Sequence, residues 1–306
     1  MQQTIDYIED HLQQDLRAID LAKMAHLSPF YYQRLFKRLV GRSFSEYVKL
    51  RRLAKASQLL LETDHRILDI AIKTGFHSHA VFTKAFKSAY GLTPEKFRQE
   101  RPLLNQVAKP ELRLMYTDVD ENVPLITSQI VLEIQRHTLT VPETYLGFIG
   151  DLSIASHIPI AGATGIDGPA KLWKKFHRVK KNYPAILPDG PELGASFLKD
   201  QSIDPTTLGK DASFNYFAGG KSDGTLVPDL AEWRMEPGEY VVCHFEAEDL
   251  KTATMQHIDT ALKYLLETWL PTHKIHIAPF SVEKYLLSTE QIQKIEIWVE
   301  ILNQEL

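Results

Sequence analysis

Residues 28–47, SPFYYQRLFKRLVGRSFSEY, return fifty positions later as SHAVFTKAFKSAYGLTPEKF, and this internal copy constrains the fold more than any other feature of the chain. It matches Ser28 with Ser78, Arg34 with Lys84, Phe36 with Phe86, Lys37 with Lys87, Gly41 with Gly91 and Tyr47 with Phe97. Upstream, DLAKMAHLS matches DIAIKTGFHS once one extra residue, His77, is allowed. Tandem duplication of one small unit is the economical reading.

Helical periodicity says what the unit is. Ser28 followed by Pro29 reads as an N-cap and a first-turn proline. In the helix that follows, Tyr32, Leu35, Phe36 and Leu39 recur at i, i+3, i+4 and i+7 and face a core. Phe30, Gln33, Arg34 and Lys37 repeat the spacing one face over. In the copy, the core stripe becomes Phe82, Ala85, Phe86 and Ala89, and the polar stripe becomes Ala80, Thr83, Lys84 and Lys87. A short helix and a turn precede each, with Gly75 giving the second turn its backbone freedom. The expectation is two helix-turn-helix units joined by a helix over about residues 46–62, with a further helix over TIDYIEDHLQQDL carrying Ile5, Ile8 and Leu12.

A helix bearing an amide, a guanidinium and an aromatic on one face suits the major groove of DNA. Gln can pair with adenine, Arg with guanine, and apolar groups can touch the thymine methyl. Gln33 and Arg34 are the natural base readers, whereas Lys37, Arg38 and Lys87 are placed to hold phosphates. Two units in one chain can address successive major-groove faces about 34 Å apart, as a dimer of single units does.

Charge supports that division. Residues 1–101 hold 17 Lys+Arg against 11 Asp+Glu, or +6, and the rest of the chain holds the remaining 18 and 28, or −10. A basic module joined to an acidic one fits a polyanion-binding half and a half with another task.

At this point residues 1–102 resemble the DNA-binding domain of the AraC/XylS family of transcription regulators. The resemblance rests on LFKRLVGRSFSEYVKLRRLAKASQLL and ILDIAIKTGFHSHAVFTKAFKSAYGLTPEKFR, with its Gly-Phe, Phe-Lys and Gly-x-x-Pro elements. It implies Phe30, Gln33 and Arg34 at DNA from the first recognition helix, and His79, Ala80, Val81 and Lys84 from the second. It also implies duplex promoter DNA and RNA polymerase as partners. His26 stands where the family commonly has glycine or a small residue.

After residue 102 the pattern changes. Residues 103–139 read as a linker that can hold strands. From residue 140 to 306 the alternating runs TYLGFIG, GASFLKD, SFNYFAGG, GEYVVCHFE and IEIWVEIL surround two helical stretches, PAKLWKKFHRVKKNY and LKTATMQHIDTALKYLLETWL. PETYLGFIGDL and PGEYVVCHFEAEDL share Pro-x-x-Tyr, an apolar strand and Asp-Leu, so this half also reads as duplicated. The fold class is therefore an all-α N-terminal domain plus an α+β C-terminal domain with a strand-helix-strands repeat.

Residues 140–306 are similar to the GyrI-like ligand-binding domain, through YLGFIG, GPAKLWKKF, FNYFAGG, EPGEYVVCHFE, SVEKY and EIWVEI. Joined to an AraC-type domain, this gives a Rob-type architecture. The resemblance implies a multidrug-type effector site, lined by aromatic residues around a carboxylate, which suits lipophilic or cationic compounds. Glu283 falls at the family's pocket glutamate, and alternation along FSVEKYLL puts Tyr285 on the same face. Phe148, Tyr216, Trp233, Tyr240 and Trp298 complete the candidate wall. Two other readings of this half are a hydrolase using Glu283 and a module that binds only protein.

The expectation is a regulator without enzymatic activity or cofactor, since the sequence holds no P-loop, zinc spacing or nucleophile elbow. His273 and His276, in HKIH, lack a third ligand nearby and read as surface residues. GATGIDGP lacks the dinucleotide fingerprint and reads as a loop. The single cysteine, Cys243, sits in a strand-like run and reads as core. With no signal-peptide pattern and no long apolar run, the chain is read as cytoplasmic, as a monomer or homodimer.

Overall fold

A computed structural model describes residues 1–127, 130–153, 164–198, 212–247, 257–286 and 293–302. The chain divides into two compact units, Met1–Arg113 with Gly162–Asp167, and Leu114–Ala161 with Gly168–Leu306.

The first unit contains α1 (Gln2–Asp10), α2 (Ala18–Met24), α3 (Pro29–Val40), α4 (Phe44–Glu62), α5 (Ile67–Lys73), α6 (His79–Tyr90) and α7 (Pro94–Glu100). Four of these starts are capped alike: Ser28, Ser43, Ser78 and Thr93 each accept from the backbone N–H three residues on. The recognition-type helices α3 and α6 both end on a left-handed glycine, Gly41 at φ 75° and Gly91 at φ 79°.

Duplication persists in the packing. Phe36 meets Tyr47 with ring centroids 5.6 Å apart, and Phe86 meets Phe97 at the same 5.6 Å, each pair T-shaped or tilted. Ile5, Ile8, Tyr32, Phe36 and Tyr47 are fully buried in the first half, as are Ile70, Phe82 and Phe86 in the second. The connecting helix α4 reaches into both halves. Arg51 grips both carboxylate oxygens of Glu9 and donates to the carbonyl of Val107 at 2.6 Å. Arg52 donates to three carbonyls, Leu12 at 2.7 Å, Gln14 at 2.7 Å and Gly75 at 3.0 Å.

Residues 103–113 also belong to this unit. Gln106 donates to Ser57 Oγ at 2.6 Å, Lys109 pairs with Asp6 at 2.6 Å, and β1 (Leu104–Asn105) pairs antiparallel with β5 (Gly165–Ile166).

Among the described residues, the second unit is built on one antiparallel sheet of nine strands. These are β2 (Leu125–Ile126), β3 (Val131–Leu139), β4 (Glu143–Ser153), β6 (Glu192–Phe197), β7 (Ser213–Lys221), β8 (Ala231–Met235), β9 (Gly238–Ala247), β10 (Phe280–Leu286) and β11 (Gln293–Glu300). The spatial order is β2-β3-β9-β11-β10-β6-β7-β4-β8. Outward from the central β6–β10 pair, one side runs β7 then β4, and the other runs β11 then β9.

Strand alternation gives the sheet two distinct faces. On one, α8 (Pro169–Val179) packs Phe176, Trp173 and Leu172 over Leu146, Tyr216 and Ala218. On the same face, α9 (Ile258–Tyr264), continuing through Leu265–Trp269, covers Val241, Cys243, Phe245, Ile295 and Ile297. The opposite face holds Tyr145, Phe217, Tyr240, Val242, Val282, Trp233 and Trp298. Among the described residues no helix is long and apolar enough to cross a membrane.

Candidate nucleic-acid interface and ligand site

The turn between α2 and α3 closes with a pair of backbone bonds, Leu27 N–H to the Ala22 carbonyl at 2.9 Å and His26 N–H to Lys23 at 3.0 Å. The turn between α5 and α6 repeats them, from Phe76 to Ala71 at 2.9 Å and from Gly75 to Ile72 at 3.0 Å. This is the Schellman arrangement, which needs a left-handed residue at its corner. His26 takes that backbone at φ 54°, so a residue bulkier than Gly75 keeps the same turn.

With the turns fixed, α3 buries Tyr32 and Phe36 and leaves Phe30, Gln33, Arg34, Lys37 and Arg38 exposed. Leu35 and Leu39 of the core stripe are half-buried. Phe30 is 77% exposed. Tyr31, which belongs to neither stripe, is also exposed and lies 5.6 Å under the Arg34 guanidinium. Its place three residues before Arg34 was the available signal. On α6, His79, Ala80, Val81, Lys84 and Lys87 are all exposed, with Phe82 and Phe86 buried behind them. Thr83 is half-buried. Both helices therefore present a strip of donors and apolar groups, flanked by cations, on a rigid base.

In the second unit Glu283 is only 7% exposed. Tyr285 and Tyr216 both donate to its Oε2, at 2.8 Å and 3.2 Å. Trp173 of α8 donates its indole N–H to the Tyr216 hydroxyl at 3.2 Å and stands edge-on to Tyr285 at 5.3 Å. Gly194 lets the Tyr216 hydroxyl lie against the strand here, since a Cβ would come within 2.1 Å of that hydroxyl and 3.3 Å of Glu283 Oε2. Trp173 was outside the candidate wall, because a helical tryptophan in an amphipathic run reads first as core.

The seven candidate ligand residues do not share one cavity. Glu283, Tyr285, Tyr216 and Phe148 lie on the face covered by the helices, and the Lys175 ammonium sits 3.7 Å from the Phe148 ring centroid. Trp233, Tyr240 and Trp298 lie on the opposite face, because Trp298 is registered against Val282 and Trp233 against Tyr145. The sheet itself separates these three from Glu283.

That opposite face carries its own polar group. Lys284, nearly buried, donates to Glu143 Oε2 at 2.7 Å and lies 3.7 Å from the Trp298 ring centroid. Lys221 donates to Glu143 Oε1 at 2.9 Å, and Tyr145 adds a bond at 2.8 Å. Burial pushes the Glu143 carboxyl up, but the bonds from Lys284 and Lys221 outweigh it and hold the group at about 2. Cys243 is fully buried, and burial pushes its thiol up to about 12, which leaves it an apolar filler. His273 stacks on Trp269 at 4.0 Å, and no cluster of three metal-ligating side chains occurs among the described residues.

Comparison with known proteins bears on both units. A family described as a helix-turn-helix domain matches residues 21–100. Over 98 residues the chain is 42% identical to YbfP, an uncharacterized HTH-type transcriptional regulator of Bacillus subtilis, covering 32% of this chain and 33% of that one. Over 100 residues it is 38% identical to the regulatory protein PocR of Salmonella typhimurium, covering 33% of each. The chain thus spans a third of the length of these two relatives. The transcriptional regulator Rob of Salmonella typhimurium is 35% identical over 257 residues, covering 83% of this chain and 80% of Rob. Paired helix-turn-helix units with exposed recognition faces, in a chain similar to Rob over most of both lengths, place this protein in the AraC-type family of DNA-binding transcription regulators.

Proposed function

We propose that the second unit, a GyrI-like domain, is an effector module that binds a lipophilic cation beside Glu283, and that its occupancy changes how the first unit acts at promoters with RNA polymerase. The observation that supports this most is a carboxylate only 7% exposed, bordered by Tyr216, Tyr285 and Trp173. Aromatic faces attract a cation, and a desolvated carboxylate balances its charge far better than a solvated one. The strand order supports a duplicated domain, because the two halves run symmetrically outward from β6 and β10. Phe30, Gln33, Arg34, His79, Ala80, Val81 and Lys84 read bases or line the groove in this proposal, and Lys37, Arg38 and Lys87 hold phosphates.

The effector reading is tested by thermal shift of the full chain with tetraphenylphosphonium and, for comparison, neutral triphenylphosphine oxide. The cation stabilises the wild type more than the neutral compound does, and Glu283→Gln removes the difference. Equal shifts with both compounds in both proteins would sink it. Turnover of ester substrates that disappears in Glu283→Gln would instead establish the hydrolase reading.

A further inference from the structure

We infer that the outward face of α8 is a second phosphate-binding surface, one that takes the backbone of duplex DNA flanking the segment held by the helix-turn-helix units. Outside residues 1–101 the chain is acidic, with 28 Asp+Glu against 18 Lys+Arg. Yet residues 168–188 contain six Lys or Arg and no acid. One third of the cations of that acidic remainder is therefore gathered on a single helix and its last turn.

Their placement is one-sided. The inner face of α8 is spent on Phe176, Trp173 and Leu172. Two of the six cations are engaged, Lys180 by Glu192 at 2.6 Å and Lys175 by the Phe148 ring. The other four, Lys171, Lys174, Arg178 and Lys181, are exposed, and none forms an ion pair among the described residues. At about 100° per residue, Lys171, Lys174 and Arg178 fall within about 60° of arc, and Lys181 extends the row onto the turn Lys180–Asn182.

Spacing suggests what the row meets. From residue 171 to 181 it runs about 15 Å at the helical rise. One strand of duplex DNA presents a phosphate about every 3.4 Å of its axis, so the row spans about four phosphates with four free cations. The acidity of the rest of the unit does not cancel this, because exposed charges farther apart than about 8 Å are largely screened at physiological salt. An acidic protein is the other class of partner, but the match of an evenly charged row to an evenly charged backbone favours DNA. The surface adds affinity without reading sequence.

The test measures binding of the full chain to fluorescein-labelled mixed-sequence duplexes of about 20 and about 40 base pairs, across a range of salt. In the variant K171Q/K174Q/R178Q/K181Q the slope of log affinity against log salt falls by about 3.6 on the longer duplex and is unchanged on the shorter. Lys174→Gln alone lowers it by about 0.9 on the longer duplex, which guards against a fold defect in the multiple variant. Lys37→Gln lowers the slope on both lengths and reports the helix-turn-helix surface separately. Wild-type slopes on both duplexes in the quadruple variant would overturn the inference, and so would equal losses on both.

Discussion

His26 and Gly75 occupy the same corner of the two helix-turn-helix turns and share a left-handed backbone, at φ 54° and 84°, but only one of them is a glycine. Left-handed backbone costs a residue with a Cβ about 1–2 kcal/mol, part of which glycine gives back through its freer unfolded chain. His26→Gly is therefore expected to stabilise the first unit by about 0.5–1 kcal/mol. Gly75→Ala is expected to cost more than about 2 kcal/mol, since its Cβ would also lie 2.7 Å from the Leu12 carbonyl oxygen and 2.8 Å from Arg52 Nε. Urea unfolding followed by helical circular dichroism checks both, and a destabilised His26→Gly would contradict the backbone assignment.

Arg34→Ala is expected to weaken specific binding by about 1–3 kcal/mol and to relax preference at one base position. Lys37→Ala should weaken binding to all sequences alike. Selection of preferred sites from a random duplex pool, repeated with each variant, separates the two, and an unaltered preference in Arg34→Ala would remove that residue from the base-reading set.

Gly194→Ala drives a methyl toward the Tyr216 hydroxyl and Glu283. It should lower tetraphenylphosphonium affinity at least tenfold, equivalent to about 1.4 kcal/mol. Trp298→Phe, on the other face of the sheet, should leave that affinity unchanged while lowering stability. Titration of tryptophan fluorescence tells the two apart, and a loss of affinity in Trp298→Phe would mean the ligand sits elsewhere.

Glu143 adds a pH dependence whose sign is fixed. Its carboxyl is held at about 2, below the ordinary value of 4.5, so its contribution is complete above about 4.5 and is lost as pH falls toward 2. The full effect is about 3 kcal/mol. Glu143→Gln should therefore flatten the fall in stability between neutral and acid pH, read from urea unfolding at each pH. Parallel curves for variant and wild type would show that Lys284 and Lys221 do not act through this carboxylate.

The helical half was legible because two copies of one pattern constrain each other. A stripe such as Tyr32 and Phe36 gains weight when Phe82 and Phe86 repeat it, and both pairs are buried. Tyr31 lies on the flank between the core stripe and the polar stripe, so a division of the helix into two faces does not single it out. In the sheet, alternation along one strand placed Glu283 and Tyr285 together. It says nothing about which face of a distant strand matches, however, and that depends on register. The pairing of Val282 with Trp298 is what moves Trp298, and with it Tyr240 and Trp233, to the far side. Trp173 reaches Tyr216 only through the docking of α8, which no local pattern encodes.

Arg52 ends its side chain on the carbonyls of Leu12, Gln14 and Gly75, binding the loop after α1 to the corner of the second turn. Within the first unit the two reading helices are thus held at one gauge. Each base pair turns the duplex by about 35°, so inserting a single one between the two half-sites swings the second out of register with a frame that does not twist to follow. On the proposed reading of DNA by both helices, half-site spacing is therefore expected to matter as much as half-site sequence.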